Sequence, residues 1–175
     1  MLLALIALHA VLAATTPLWS KVLGPGTFLV LALPPAAATG ALLALAPTVL
    51  GGGAHHEHVP WIPALGVAIT LHVGLLQWVL ALVVAGIGTL VLLYCRWYFA
   101  ARMPNLSGGV LLAFAGSMLG LVTADDLVVL FVCWELTTIF SYLLIGHDPT
   151  RRANRGAAFT ALVVTTAGGL ATLLG

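Results

Sequence analysis

An all-α integral membrane fold with six transmembrane helices follows from three observations on this sequence. The 175 residues are 62% hydrophobic and 6% charged, with a mean hydropathy of +1.16. A soluble domain carries about 25% charged residues, so this chain could not cover a surface in water. Its apolar residues fall in long runs, not in the alternating segments of ~10 residues that a membrane barrel requires. Runs near the ~20 residues that cross a hydrocarbon core as a helix recur along the chain.

The predicted spans are 1–19, 26–50, 75–95, 106–123, 127–146 and 156–175, with 51–74 external. The first ends in small residues, as a signal peptide does, but it lacks a positive n-region and is expected to be a retained helix. In the second, Pro34–Pro35 removes backbone donors and predicts a kink. Pro17, Pro25, Pro104 and Pro149 fall in or beside predicted connections. After the Gly51–Gly53 break come His55, His56, Glu57 and His58, then Val59-Pro60-Trp61-Ile62-Pro63. Val67, Ile69 and Leu71 alternate with Ala68, Thr70 and His72, which predicts a short external strand ending near His72. Asp125–Asp126 reads as a tight turn, with Asp126 placed to cap the fifth helix.

Lys21, Arg96, Arg102, Arg151, Arg152 and Arg155 all fall between spans on one side, and Glu57, Asp125 and Asp126 on the other. The positive-inside rule then places the N-terminus outside. Trp19, Trp61, Trp97 and Tyr98 lie near span ends, as interfacial aromatics do.

Glu135 is the candidate functional residue. It is the one charged side chain in Leu127–Leu144, LVVLFVCWELTTIFSYLL. It stands ~14 Å along a helix that begins near Asp126, close to the midplane of a ~30 Å core. An acid at that depth is costly unless it is protonated, paired or hydrated, which makes it a functional-site hypothesis. Thr138 and Tyr142, at i+3 and i+7, share its face. One reading is a structural hydrogen bond between helices. The preferred reading is an ion- or proton-handling carboxyl, because desolvation favours its neutral form and a nearby cation its charged form. No lysine or arginine lies at that depth in the six spans, so a cationic partner is expected outside this sequence.

The other polar groups carry weaker signals. His9 reads as a helix contact or a proton-relay element, and His147 as a helix cap or a relay element. The His55–His58 cluster matches no zinc spacing, and no metal is expected. Cys95 and Cys133 read as packing residues. Thr165-Thr166-Ala167-Gly168-Gly169 is a run of small residues suited to close helix packing. The net charge of +1 comes with no basic patch, so no nucleic-acid partner is expected. No cofactor is expected.

Four stretches resemble the antiporter-like subunits shared by Mrp-type cation/proton antiporters and respiratory complex I. They are Val59-Pro60-Trp61-Ile62-Pro63, Gly86-Ile87-Gly88-Thr89-Leu90-Val91-Leu92-Leu93-Tyr94, Asp125 to Glu135, and Ser141-Tyr142-Leu143-Leu144-Ile145-Gly146. The Gly168-Gly169 stretch resembles the Mrp A subunit more than its complex I counterpart. The resemblance implies that Glu135 pairs with a lysine on a later helix and that changes in this pair move protons along a hydrophilic axis. Val73 stands where the family commonly has an aspartate. The lysine-bearing helices of the family lie beyond this sequence, so residues 1–175 are expected to be the N-terminal part of an antiporter-like membrane domain. The expected function is multi-subunit exchange of Na+ for H+ in the plasma membrane, by a secondary transporter subunit with other membrane subunits as partners. The alternatives are a proton-pumping subunit of complex I or a membrane-bound hydrogenase, and a non-transporting assembly module.

Overall fold

The computed structural model describes residues 1–62, 64, 67–98, 106–148 and 150–174. In chain order the elements are helices α1 (Leu2–Leu23), α2 (Thr27–Leu31), α3 (Leu33–Ala44) and α4 (Ala46–Leu50), strands β1 (His55–Ile62) and β2 (Val67–Val73), and helices α5 (Leu75–Tyr98), α6 (Leu106–Thr123), α7 (Leu127–Ile145) and α8 (Arg152–Leu174). Pro63, Arg102, Pro104, Pro149 and Gly175, all named above or within a predicted span, lie outside the described residues.

Among the described residues, four helical stretches are long and apolar enough to cross a membrane: Leu2–Ala44, Leu75–Tyr98, Leu127–Ile145 and Arg152–Leu174. The first of these is not straight. Gly24 ends α1 with φ 51°, a left-handed conformation that favours glycine, and a short 3₁₀ turn follows over Gly24–Gly26. Two apolar clusters then show where the chain goes. One gathers Leu2, Leu42, Val49, Leu71, Ala81, Leu119 and Val129. The other gathers Leu31, Ala32, Leu92 and Leu112, with Leu12 and Phe28 packed against it. Leu2 is therefore level with Leu42, and Leu12 with Leu31, so α1 runs antiparallel to α2 and α3.

The kink expected at Pro34–Pro35 is a break two residues earlier, at Ala32, and a second break follows at Leu45. Prolines 34 and 35 have no N–H for the carbonyls of Val30 and Leu31, so the ladder stops and restarts with prolines in its first turn. Pro47 does the same for α4. Trp78 Nε1 donates to the Leu42 carbonyl at 2.7 Å, which ties this segment to α5.

Pro17, expected within the first span and beside the connection after residue 19, lies further from the helix end than that, because α1 continues to Leu23. Its missing N–H leaves the Ala13 carbonyl without its usual donor. Helix α6 approaches closely at that point. A Cβ on Gly109 would stand 2.8 Å from both the Ala13 oxygen and Thr16 Oγ1. A Cβ on Gly116 would stand 2.6 Å from His9 Cβ, and one on Gly120 would stand 2.8 Å from Cys133 Sγ on α7. Small residues thus let α6 sit between α1 and α7 at backbone range. Large apolar side chains such as Val22, Leu76, Leu90, Val164 and Leu174 point outward, which suits a lipid-facing surface.

The sequence pattern predicts one strand, and the structure has two. β1 pairs antiparallel with β2, with His56 opposite His72 and Val59 opposite Ile69. The partner strand is hidden in the sequence by its histidines and by Pro60, which cannot donate to a ladder, and the register shifts between Pro60 and Ile62. Glu57 on β1 supplies the cap that α1 lacks. It accepts hydrogen bonds from the Leu2 and Leu3 N–H groups at 2.7 and 3.1 Å and pairs with the Met1 amine. At the other edge Leu71 pairs with Ala124, and Asp125 N–H donates to the Thr70 carbonyl at 3.0 Å. The hairpin therefore joins the start of α1 to the turn between α6 and α7. Asp126 caps α7 as expected, accepting from Val128 and Val129 N–H at 2.8 and 3.3 Å.

Burial pushes the Glu57 carboxyl up, but hydrogen bonds from the amino terminus, Leu3, His55 and Leu2 outweigh it and bring the pKa from 4.5 to about 2. A carboxyl lowered on folding stabilises the fold above its unfolded value, and that contribution fades as pH falls from about 4.5 towards about 2. Glu57→Gln is expected to cost about 1 kcal/mol near neutral pH. Thermal unfolding in detergent at pH 7 and pH 3 checks this: the variant's deficit should shrink at the lower pH, and an equal deficit at both refutes it. Gly109→Val is expected to cost several times more, because its nearest neighbour is α1 backbone. Wild-type yield and melting temperature for that variant would contradict the close approach.

Candidate functional site

α7 has 19 residues and a mean hydropathy of 2.1, with Glu135 as its one charged side chain. Capping by Asp126 fixes where the helix starts. Glu135 then sits roughly 12 Å along a helix roughly 28 Å long.

Glu135 faces α8, and its surroundings are unequal. Oε2 accepts from Thr166 Oγ1 at 3.5 Å, the outer limit of a hydrogen bond. Oε1 is buried and has no hydrogen-bond partner among the described residues. It packs instead on Gly169, where an added Cβ would lie 2.5 Å from Oε1 and 2.9 Å from Trp134 Nε1 and Cδ1. Beside it, Trp134 Nε1 donates to the Thr165 carbonyl at 3.3 Å, pinning α7 to α8. A buried, unsatisfied carboxylate oxygen is expensive, and it has to be met by a proton, a water or a cation.

Thr138 and Tyr142, the residues expected to share a face with Glu135, lie in different surroundings. Thr138 is buried, and its hydroxyl, like Oε1, lacks a partner. Tyr142 is 38% exposed, further along the same helix. The two histidines are elsewhere. His9 is buried in the α1–α6 seam, with Nδ1 2.8 Å from the Leu5 carbonyl of its own helix. His147 follows the end of α7, exposed, with Nδ1 3.2 Å from the Leu144 carbonyl. That end is roughly 15 Å along the helix from Glu135. Neither histidine is hydrogen-bonded to the carboxyl.

The histidine cluster has structural contacts. His55 Nε2 lies 3.1 Å from Glu57 Oε1, and the His56 and His72 rings stack across the hairpin with centroids 4.6 Å apart. Among the described residues no group of three or more His, Cys, Asp or Glu side chains is arranged to hold a metal ion. Thr166 and Gly169 are the site residues that sequence reasoning does not assign to Glu135. The small-residue run is visible in the sequence, but its register against α7 is not.

The chain matches no protein-family model. It is 42% identical over 132 residues to the probable K+/H+ antiporter A/B subunit of Rhizobium meliloti, a match covering 75% of this chain and 13% of that protein. It is 40% identical over 126 residues to the A subunit of the Na+/H+ antiporter of Alkalihalophilus pseudofirmus, covering 71% of this chain and 16% of that one. In structure it is similar to a chain of the Mrp complex from Dietzia sp. DQ12-45-1b, with a TM-score of 0.83 and 36% identity, over 99% of this chain and 18% of the other. It shares its fold alone with a chain of the membrane-bound sulfane sulfur reductase, an archaeal respiratory membrane complex, at TM-score 0.81 and 22% identity, over 99% of this chain and 27% of that one. The chain spans less than a fifth of the length of the two antiporter relatives and of the matched Mrp chain. In sequence and in fold, this multi-pass membrane protein belongs to the family of Mrp-type antiporter A subunits.

Proposed function

We propose that this chain is part of a subunit of a multi-subunit monovalent cation/proton antiporter in the plasma membrane, with Glu135 as the carboxyl that gains and loses the proton. The observation that carries this reading is Glu135 Oε1, a buried oxygen without a hydrogen-bond partner among the described residues, midway along an otherwise uncharged helix. A purely structural acid would have both oxygens satisfied by neighbouring helices. Here one oxygen is open and the other weakly held, so the group is free to exchange a proton when its surroundings change. Na+ is the expected counter-ion. The relatives are named for Na+ and for K+, which leaves the reading at the level of a small monovalent cation. Thr138 and Tyr142 extend the polar face, and His9 and His147 are relay positions that water would have to link to it.

The same reading has six passes with the N-terminus outside. Two features support it. α1 and α2–α3 are antiparallel, and the start of α1, the hairpin and the α6–α7 turn share one end of the bundle. Lys21, Arg96, Arg151 and Arg152 fall at the opposite end of the helices that carry or border them.

In a full-length parent subunit within its complex, Glu135→Ala and Glu135→Gln are both expected to abolish pH-gradient-driven cation exchange in vesicles while membrane insertion stays normal. Wild-type exchange by Glu135→Gln would make the residue a structural contact, since glutamine keeps most of the hydrogen bonding but carries no proton. For orientation, His58→Cys in a background without Cys95 and Cys133 should react with an impermeant maleimide in intact cells, and Arg152→Cys should not. The reverse pattern inverts the topology.

A further inference from the structure

The Glu135 carboxyl is held in place chiefly by the absence of a side chain on α8. At Gly169 the α8 backbone lies so close that a single methyl would stand 2.5 Å from Glu135 Oε1, a separation real Cβ atoms do not adopt. The neighbouring glycine differs. A Cβ on Gly168 meets nothing within 4 Å, and Gly168 is exposed where Gly169 is buried. The two glycines are adjacent in sequence and unequal in role. Gly40, Gly86 and Gly156 likewise have open space around a notional Cβ, so contact of this kind is not a general property of glycine in this bundle.

We infer that Gly169 is a positioning residue for Glu135: its missing side chain lets the carboxyl lie in the α7–α8 seam beside Thr166. This rests on Glu135 as the proton-coupled acid for its functional part, and on geometry alone for its structural part. The cause is steric. Alanine at 169 must displace something, and the backbone of α8 is the less movable party. Trp134 is tied to α8 by its hydrogen bond to the Thr165 carbonyl. The freer group is the Glu135 side chain, held by one long contact to Thr166. Gly169→Ala therefore pushes the carboxyl out of the seam, where a small misplacement of a reacting group can cost up to about a hundredfold in rate.

The steric cause makes a specific rescue available. Glu135→Asp shortens the acid by one methylene and makes room for a methyl at 169. Trp134→Phe makes room on the other side of the same glycine. The two rescues separate displacement of the acid from displacement of the indole.

The test uses the full-length parent subunit in its complex, with two readouts. The first is modification of residue 135 by a hydrophobic carbodiimide, followed by mass spectrometry, which needs no transport. Gly169→Ala should change the labelling rate of Glu135 severalfold, towards faster reaction, at unchanged protein level. An unchanged rate overturns the positioning role. The second readout is the pH profile of cation exchange. Gly169→Ala should lower exchange about ten- to a hundredfold and displace the profile, and Glu135→Asp with Gly169→Ala should exceed Gly169→Ala alone. Rescue by Trp134→Phe and not by Glu135→Asp overturns the proposal in favour of a packing role. If Glu135→Ala exchanges like wild type, the proton-coupled reading fails, and the labelling result still decides what Gly169 does.

Discussion

The architecture turns on how closely helix backbones approach α6. This 18-residue helix meets α1 through Gly109 and Gly116, α5 through Ala115 near Gly88, and α7 through Gly120. In a bilayer no hydrophobic force draws helices together, because lipid is as apolar as leucine. Contact must then come from shape, and glycine supplies it by removing the side chain that would hold two helices apart. The Ala13 carbonyl, left without a donor by Pro17, lies in this seam. A local defect in one helix and a small residue in the next thus share one contact.

Glu135 is placed by a consequence of that packing. α6 sets α7 through Gly120 and Cys133, and α7 in turn receives α8 through Trp134 and Gly169. The hairpin adds a second constraint from outside the helices. By bonding to Asp125 it fixes the turn from which α7 starts, and Asp126 begins the helix one residue later. The depth of Glu135 is therefore set from the capped end, and its lateral seat from a glycine on the neighbouring helix. The carboxyl has little freedom in either direction except along its own χ angles.

Much of this is legible in the sequence, and the reasons are specific. The helical class follows from composition, and Glu135 stands out because one charge interrupts an 18-residue apolar run. Asp126 is readable as a cap because capping is local. The departures have non-local causes. β1 escapes notice because three histidines and a proline obscure its alternation, and its strand character comes from pairing with β2. Pro17 reads as lying at the end of its span, beside a connection, yet α1 continues past it to Leu23 and leaves one carbonyl short. Thr166 and Gly169 cannot be assigned to Glu135 from spacing, since nothing in the sequence gives the register between two helices 31 to 34 positions apart.

Glu57 carries one more consequence, which concerns how α1 is completed. The first N–H groups of α1 are satisfied by a carboxylate 55 positions downstream. Until that residue is in place, α1 is unfinished at its tip. Completion of α1 thus depends on α2–α4 leading back and delivering the hairpin to the end of the bundle where α1 starts. The ion pair and hydrogen bonds at Glu57 act as a latch: they form only when the hairpin and the start of α1 meet at one end of the bundle.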